Sequence, residues 1–285
     1  MNGTDRTIED VKEAAGEVAE KVGKHPWVER LARFGYAAKG VVYIVVGALA
    51  TLAALGEGET TGTHGAMRSI ARQPFGRVML GIVAFGLIAY VIWRWVQAIT
   101  DADDKGTDAK GIALRLGYTG SGLIYAGLAY SAGRILFGAE EDGKPSAAES
   151  WTASVMEFPY GNWLVILAGL SVMGYGLYQC YKGYAAKFRK RLKLGEMSER
   201  GIRWAMRSGR FGFIARGVVF LIVGGVLIQA ALHYDSTEAK GLDGVLQLLI
   251  RQSYGKWLLG LVALGLVAYG LYMLIEARYR RIAGS

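Results

Sequence analysis

The chain is built of long apolar runs separated by short polar segments. The runs fall near 34–55, 78–99, 116–133, 163–180, 211–232 and 257–275. A bilayer core of about 30 Å needs roughly 20 residues of helix at about 1.5 Å each, so each run predicts a membrane-spanning helix. Several hold only 16–18 uncharged residues. Arginines at their ends extend them, because the aliphatic stem lies in the apolar layer while the guanidinium reaches the headgroups. Before the first run, residues 7–22 predict a short amphipathic helix. Ile8, Val11, Ala15, Val18 and Val22 share one face, Thr7 and Asp10 make a capping-box-like start, and Gly23 and Pro26 end it. Its polar face is acidic, which disfavours anionic lipid and suits solvent or a protein partner.

The runs are not independent. Arg33-Phe34-Gly35-Tyr36-Ala37-Ala38-Lys39-Gly40 returns as Arg115-Leu116-Gly117-Tyr118-Thr119-Gly120-Ser121-Gly122 and as Arg210-Phe211-Gly212-Phe213-Ile214-Ala215-Arg216-Gly217. The following helix repeats as well. It opens with Phe75-Gly76, Tyr160-Gly161 and Tyr254-Gly255, and fourteen residues after that glycine stand Tyr90, Tyr175 and Tyr269. Four residues before each tyrosine is a small residue (Gly86, Ser171, Gly265) and three after it an aromatic (Trp93, Tyr178, Tyr272), so all three share one helix face. Repetition at this level outranks local signals. It predicts three two-helix units, each with a loop of about twenty residues that carries a short interfacial helix at 65–72, 151–157 and 242–251.

Charge sets the orientation. Of the 33 Lys and Arg, 25 lie on the side holding the N-terminus, the inter-unit linkers and the C-terminus, and 8 on the side of the within-unit loops. By the positive-inside rule the first side is cytoplasmic. All three hairpins then enter with one polarity, as parallel repeats about an axis along the membrane normal. Topology accounts for the net charge of +9, and nucleic acid is not an expected partner. The 52% hydrophobic content and 41 glycines fit the same picture, since glycine lets membrane helices approach closely. Residues 1–24 show no apolar signal-peptide core, so the first span is expected to direct insertion.

Catalytic chemistry is hard to find. The single cysteine, Cys180, offers no thiol pair, and His25, His64 and His233 have no ligand companions at metal spacing. No nucleotide loop or serine elbow has the required context, and no metal or cofactor is expected. The candidate sites are for binding. Lys39 and Arg216 stand at equivalent positions inside the apolar runs, with Ser121 between them in the middle unit. They either snorkel to the headgroups or face inward as a site for an anionic headgroup or substrate. Tyr90, Tyr175 and Tyr269 either pack and anchor the helices or line the axis. Glu276, at the position of Gln97 and Lys182, is expected in the headgroup layer or paired with a neighbouring cation, and Arg94 is expected to snorkel. Lys187, Arg189, Lys190, Arg191 and Lys193 put five cations in seven residues, a membrane anchor or an anionic-lipid site worth about 1 kcal/mol per cation.

These motifs resemble a bacterial membrane-protein family of unknown function, number 1206 in the domain-of-unknown-function series. The likeness runs from His25-Pro26-Trp27-Val28-Glu29 through the three two-helix units to Arg278-Tyr279-Arg280-Arg281, and departs from the pattern at Ser121. It implies a bacterial inner-membrane location and supports three units. It implies no activity and no catalytic residue.

The expectation is an all-α polytopic membrane bundle of six transmembrane helices, three parallel hairpins in pseudo-threefold array, N-in and C-in. Residues 1–30 form a cytoplasmic segment, 31–100 the first unit, 112–184 the second, 185–205 a basic linker and 206–281 the third. The expected role is non-enzymatic: a module of the inner membrane that binds lipid, a small ligand or a protein partner, the last through residues 7–22. A small transporter or channel with its site near the axis is the alternative.

Overall fold

The structure, a computed structural model, describes residues 26–57, 62–100, 106, 108–138 and 147–281. The expected helix at 7–22 lies outside them. Among the described residues the chain is all-α. The first unit holds α1 (Pro26–Leu55), α2 (Thr63–Ala71) and α3 (Gly76–Thr100). The second holds α4 (Ala109–Leu136), α5 (Ala147–Met156) and α6 (Gly161–Tyr184), and the third α7 (Glu199–His233), α8 (Leu242–Ile250) and α9 (Gly255–Tyr279). Each unit is thus long helix, short helix, long helix, and the three short helices stand where the loops were expected to carry them.

Local chemistry explains the boundaries. Asp108 and Ser198 are N-caps, whose side chains accept from the backbone N–H of Gly111 at 2.9 Å and Gly201 at 3.2 Å. Phe75 and Tyr160 take left-handed conformations, φ 60° and 65°, to turn the chain into α3 and α6. The glycine that follows is required by packing. A Cβ at Gly76, Gly161 or Gly255 would collide with the carbonyls that end the preceding short helix, Ile70, Val155 and Ile250.

Five helices, α1 from Glu29, α3, α6, α7 and α9, are long and apolar enough to cross a membrane. α4 has the length, 28 residues, but its middle is rich in Gly, Ser, Thr and Tyr. Composition therefore supports five of the six expected spans. The outer surfaces agree with a lipid setting. Ile82, Phe85, Ile88 and Ile92 of α3 and Leu258, Leu261, Leu264 and Leu271 of α9 are exposed at helical spacing. Exposed Trp151, Trp163, Tyr160, Tyr254 and Trp257 gather near helix ends, as in an interfacial aromatic belt. The protein is a multi-pass helical membrane bundle.

The long helices follow one another laterally in the order α4, α3, α1, α9, α7, α6, each packed on the next. Three of these interfaces join the first helix of one unit to the second of another: α4 on α3, α7 on α6 and α1 on α9. The other two, α1 on α3 and α7 on α9, lie within a unit. The matching pair in the middle unit, α4 and α6, has no such interface among the described residues. Glycines bring the closest pairs together. A Cβ at Gly40 would sit 2.8 Å from the Gly270 carbonyl oxygen, and one at Gly176 would sit 2.9 Å from that of Gly217.

After α6, the basic linker folds under the bundle. Phe188 is fully buried, its ring centroid 5.4 Å from Phe213 and 5.0 Å from Tyr272. Leu192 and Arg280 form an antiparallel bridge, flanked by Lys193 N–H donating to the Tyr279 carbonyl at 2.7 Å and Arg281 N–H to that of Arg191 at 2.8 Å.

Candidate functional site

The interior polar groups collect at the end of the bundle where the linker after α6 meets the C-terminal segment. In the first unit the α1 residue Lys39, buried, donates to the Tyr90 hydroxyl on α3 at 3.0 Å. In the third the equivalent Arg216 on α7, also buried, donates to Tyr269 on α9 at 3.0 Å and to Tyr43 at 3.2 Å. Each cation ties together the two long helices of its own unit. Four tyrosine rings surround the Lys39 ammonium: Tyr125 at 4.6 Å, Tyr90 at 4.7 Å, Tyr269 at 5.7 Å and Tyr43 at 6.0 Å from centroid to Nζ. Ring faces are negative, so the cage offsets part of the cost of taking the ammonium out of water. Neither cation snorkels; both point inward.

The tyrosines divide. Tyr90 and Tyr269 are buried and pack edge-on, Tyr90 against Tyr125 and Tyr269 against Tyr43. Tyr175 is half-open and lines a cavity of about 170 Å³ between α1, α3, α4, α6, α7 and α9. The walls come in repeat-equivalent sets: Tyr36, Tyr118 and Phe213; Lys39, Ser121 and Arg216; Arg94, Gln179 and Met273. Lys182 and Glu276, of the set that includes buried Gln97, complete one end with Arg191.

The charge is lopsided. Among the described residues five cations (Lys39, Arg94, Lys182, Arg191 and Arg216) line the cavity against one carboxylate, Glu276. That carboxylate is buried and already paired with Arg280, one turn along α9 and equally buried, whose guanidinium also lies 4.7 Å from the Tyr36 ring. So Glu276 is buried inside the protein, and its partner is the residue that caps its own helix, not a cation of a neighbouring unit. Arg94 does not snorkel either: it donates to Tyr90 at 2.7 Å through Nε and to Gln97 at 3.1 Å. Among the described residues Lys182 Nζ has no hydrogen-bond or ion-pair partner. It stands 4.0 Å from the Phe213 centroid. The buried amide nitrogen of Gln179 lacks a hydrogen-bond partner too.

The structure splits the basic cluster of the linker. Arg191 reaches the cavity. Lys187, Arg189 and Lys190 face outward, Lys187 over the Tyr181 ring at 4.3 Å, and Lys193 sits 3.6 Å from Glu196. Lys182, Gln179, Arg94 and the Glu276–Arg280 pair are the parts that reading the sequence missed as a site. Their signal was present, since one face of the second helix carries polar residues at the Gln97, Lys182 and Glu276 position in every unit.

Comparison with known proteins adds a family. The one described as Domain of Unknown Function (DUF1206) matches three times, over residues 34–101, 116–186 and 211–280, each match covering one unit. A protein of Bacillus subtilis (strain 168), described as "Uncharacterized protein YxxB", is 35% identical over 257 residues, 90% of this chain and 93% of its own length. No solved structure matches.

Proposed function

The chain belongs to the DUF1206 family, and on that footing we propose that it is a non-enzymatic membrane-embedded binding module whose central cavity takes an anionic ligand. One observation carries this reading: among the described residues three buried cations, Lys39, Lys182 and Arg216, line a cavity with one carboxylate, Glu276, that is already paired. Excess buried charge is costly unless compensated, and a bound anion supplies that compensation.

The finer architecture belongs to the same proposal. α4 is the sixth span, because it packs beside α3 as α7 packs beside α6 and α1 beside α9. The three units surround a pseudo-threefold axis, and the equivalent wall positions support this. The bundle sits in the bacterial inner membrane with both termini inside, as the uneven distribution of Lys and Arg favours. Cysteine labelling then reaches position 64 from outside and position 190 from inside, and the reverse pattern overturns the orientation.

The binding test titrates inorganic phosphate against the detergent-purified protein while following thermal unfolding. A ligand bound only by the folded state stabilises it by about 2.7 kcal/mol at a hundred times its dissociation constant. A dose-dependent rise that Lys182→Met abolishes supports the reading. No rise with phosphate, sulfate or phosphatidylglycerol overturns it. Passage of labelled phosphate across liposomes holding the protein establishes the transporter alternative instead.

A further inference from the structure

The middle unit is open where the other two are closed. Tyr90 and Tyr269 are 0% and 2% exposed, but Tyr175 is 45% exposed. Val42 and Val219 are 3% and 4% exposed, whereas Ile124 at the same position is 66% exposed. A Cβ at Gly35 or Gly212 would meet the backbone of Tyr90 or Tyr269, while nothing lies within 4 Å of one at Gly117 or Gly120. The cause is legible in the residues. Lys39 and Arg216 reach across their units to a tyrosine hydroxyl, and Ser121 is too short to reach Tyr175. The unit without the cation has no such clasp, and α4 and α6 share no interface like those of the other pairs among the described residues.

From this we infer that the cleft between α4 and α6 is a lateral doorway, through which an anionic phospholipid of the surrounding bilayer seats its phosphate in the cationic cavity. The inference rests on the anion-binding reading of that cavity. Two independent features meet here. On the middle unit Ile124 of α4 and Tyr175 and Tyr178 of α6 are exposed, and the two tyrosines also line the cavity. Behind it lie two residues more than nine-tenths buried: Gln179, whose amide nitrogen has no hydrogen-bond partner among the described residues, and Lys182, whose Nζ stands 4.0 Å from the Phe213 ring centroid. A free anion satisfies the cavity and leaves the cleft bare. A helix from another protein covers the cleft and brings no charge to Lys182. A phospholipid does both, its phosphate meeting Lys182 and Gln179 and its chains lying along α4 and α6. The depth is suitable, because the cavity is at the linker end of the bundle, level with the first turns after Arg33 and Arg210.

The test uses the full chain reconstituted in vesicles of equal parts phosphatidylglycerol and phosphatidylcholine, then extracted and weighed by native mass spectrometry. Wild type should carry phosphatidylglycerol in preference to phosphatidylcholine. Gly120→Trp fills the doorway at a site with room for a side chain. It should lower retention about tenfold with its unfolding temperature in lipid-free detergent not lowered. Lys182→Met should lower it by a similar factor. If Gly120→Trp fails to fold, Ile124→Glu, which sets a carboxylate in the cleft, gives the same readout. Wild-type retention by a folded doorway variant overturns the inference, as does equal retention of the two lipids, or a stable dimer that shields the cleft and carries no lipid. Phosphate binding without phosphatidylglycerol retention sinks the doorway and leaves the anion cavity standing. Binding of neither removes both.

Discussion

Three glycines hold one position in the repeat, Gly35, Gly117 and Gly212, and alanine at each should give different results. A Cβ at Gly35 would lie 2.7 Å from the Tyr90 Cα, and one at Gly212 would lie 2.5 Å from the Tyr269 Cα. Both obstacles are backbone, so the added methyl can be admitted only by moving α3 away from α1, or α9 away from α7. Overpacking of this kind costs about 1–3 kcal/mol. Against it stands a gain of about 0.8–1 kcal/mol, because alanine is the better helix former. The net for Gly35→Ala and Gly212→Ala is a loss on the order of 1 kcal/mol, and more if the helices resist separation. At Gly117 nothing lies within 4 Å, so only the gain of up to about 1 kcal/mol remains. Thermal unfolding in detergent, read by tryptophan fluorescence, should fall by roughly 2–4 °C per kcal/mol for the first two and rise by a similar amount for the third. One outcome refutes the reasoning: Gly117→Ala destabilising as much as the other two. That would mean α4 and α6 are packed like their counterparts and the middle unit is closed.

Other perturbations follow from the interior. Glu276→Leu strips Arg280 of its buried partner and should cost about 3–5 kcal/mol, with Glu276→Leu/Arg280→Leu recovering most of it in the same unfolding assay. Tyr90→Phe and Tyr269→Phe each remove an acceptor from a buried cation and should cost about 1.5–3 kcal/mol; Tyr175→Phe should change stability by less than about 0.5 kcal/mol. Phe188→Ala empties the site between Phe213 and Tyr272 and should cost about 3–5 kcal/mol. Limited proteolysis should then cut the linker at Lys187–Arg191, because the same ring anchors that segment to the bundle. An uncut linker would mean that the Leu192–Arg280 bridge holds it unaided.

The three units, the two long helices of each and the short helix between them were legible in the residues. Apolar length, repeated glycines and aromatic-glycine turns are local features, and local physics acts on them the same way in every unit. The identity of the charged positions was legible too, down to the absence of a cation at Ser121. Their direction was not. A lysine one or two turns inside an apolar run reaches the headgroups or the interior at similar cost, and only the neighbours decide. Lys39 turned inward because Tyr90 on α3 and Tyr125 on α4 stand where they can receive it, a juxtaposition made by helices 51 and 86 residues away. The split of the basic cluster had the same origin. Arg191 differs from Lys190 in which side of the short 3-10 helix Lys187–Arg191 it occupies once Phe188 is buried. Sequence alone determined that the chain is a membrane protein of three like units and what each helix is made of. Tertiary structure decided which helices touch, and so which unit stays open and where the buried cations collect. Periodicity describes a helix face, whereas a site is made by faces from distant helices meeting.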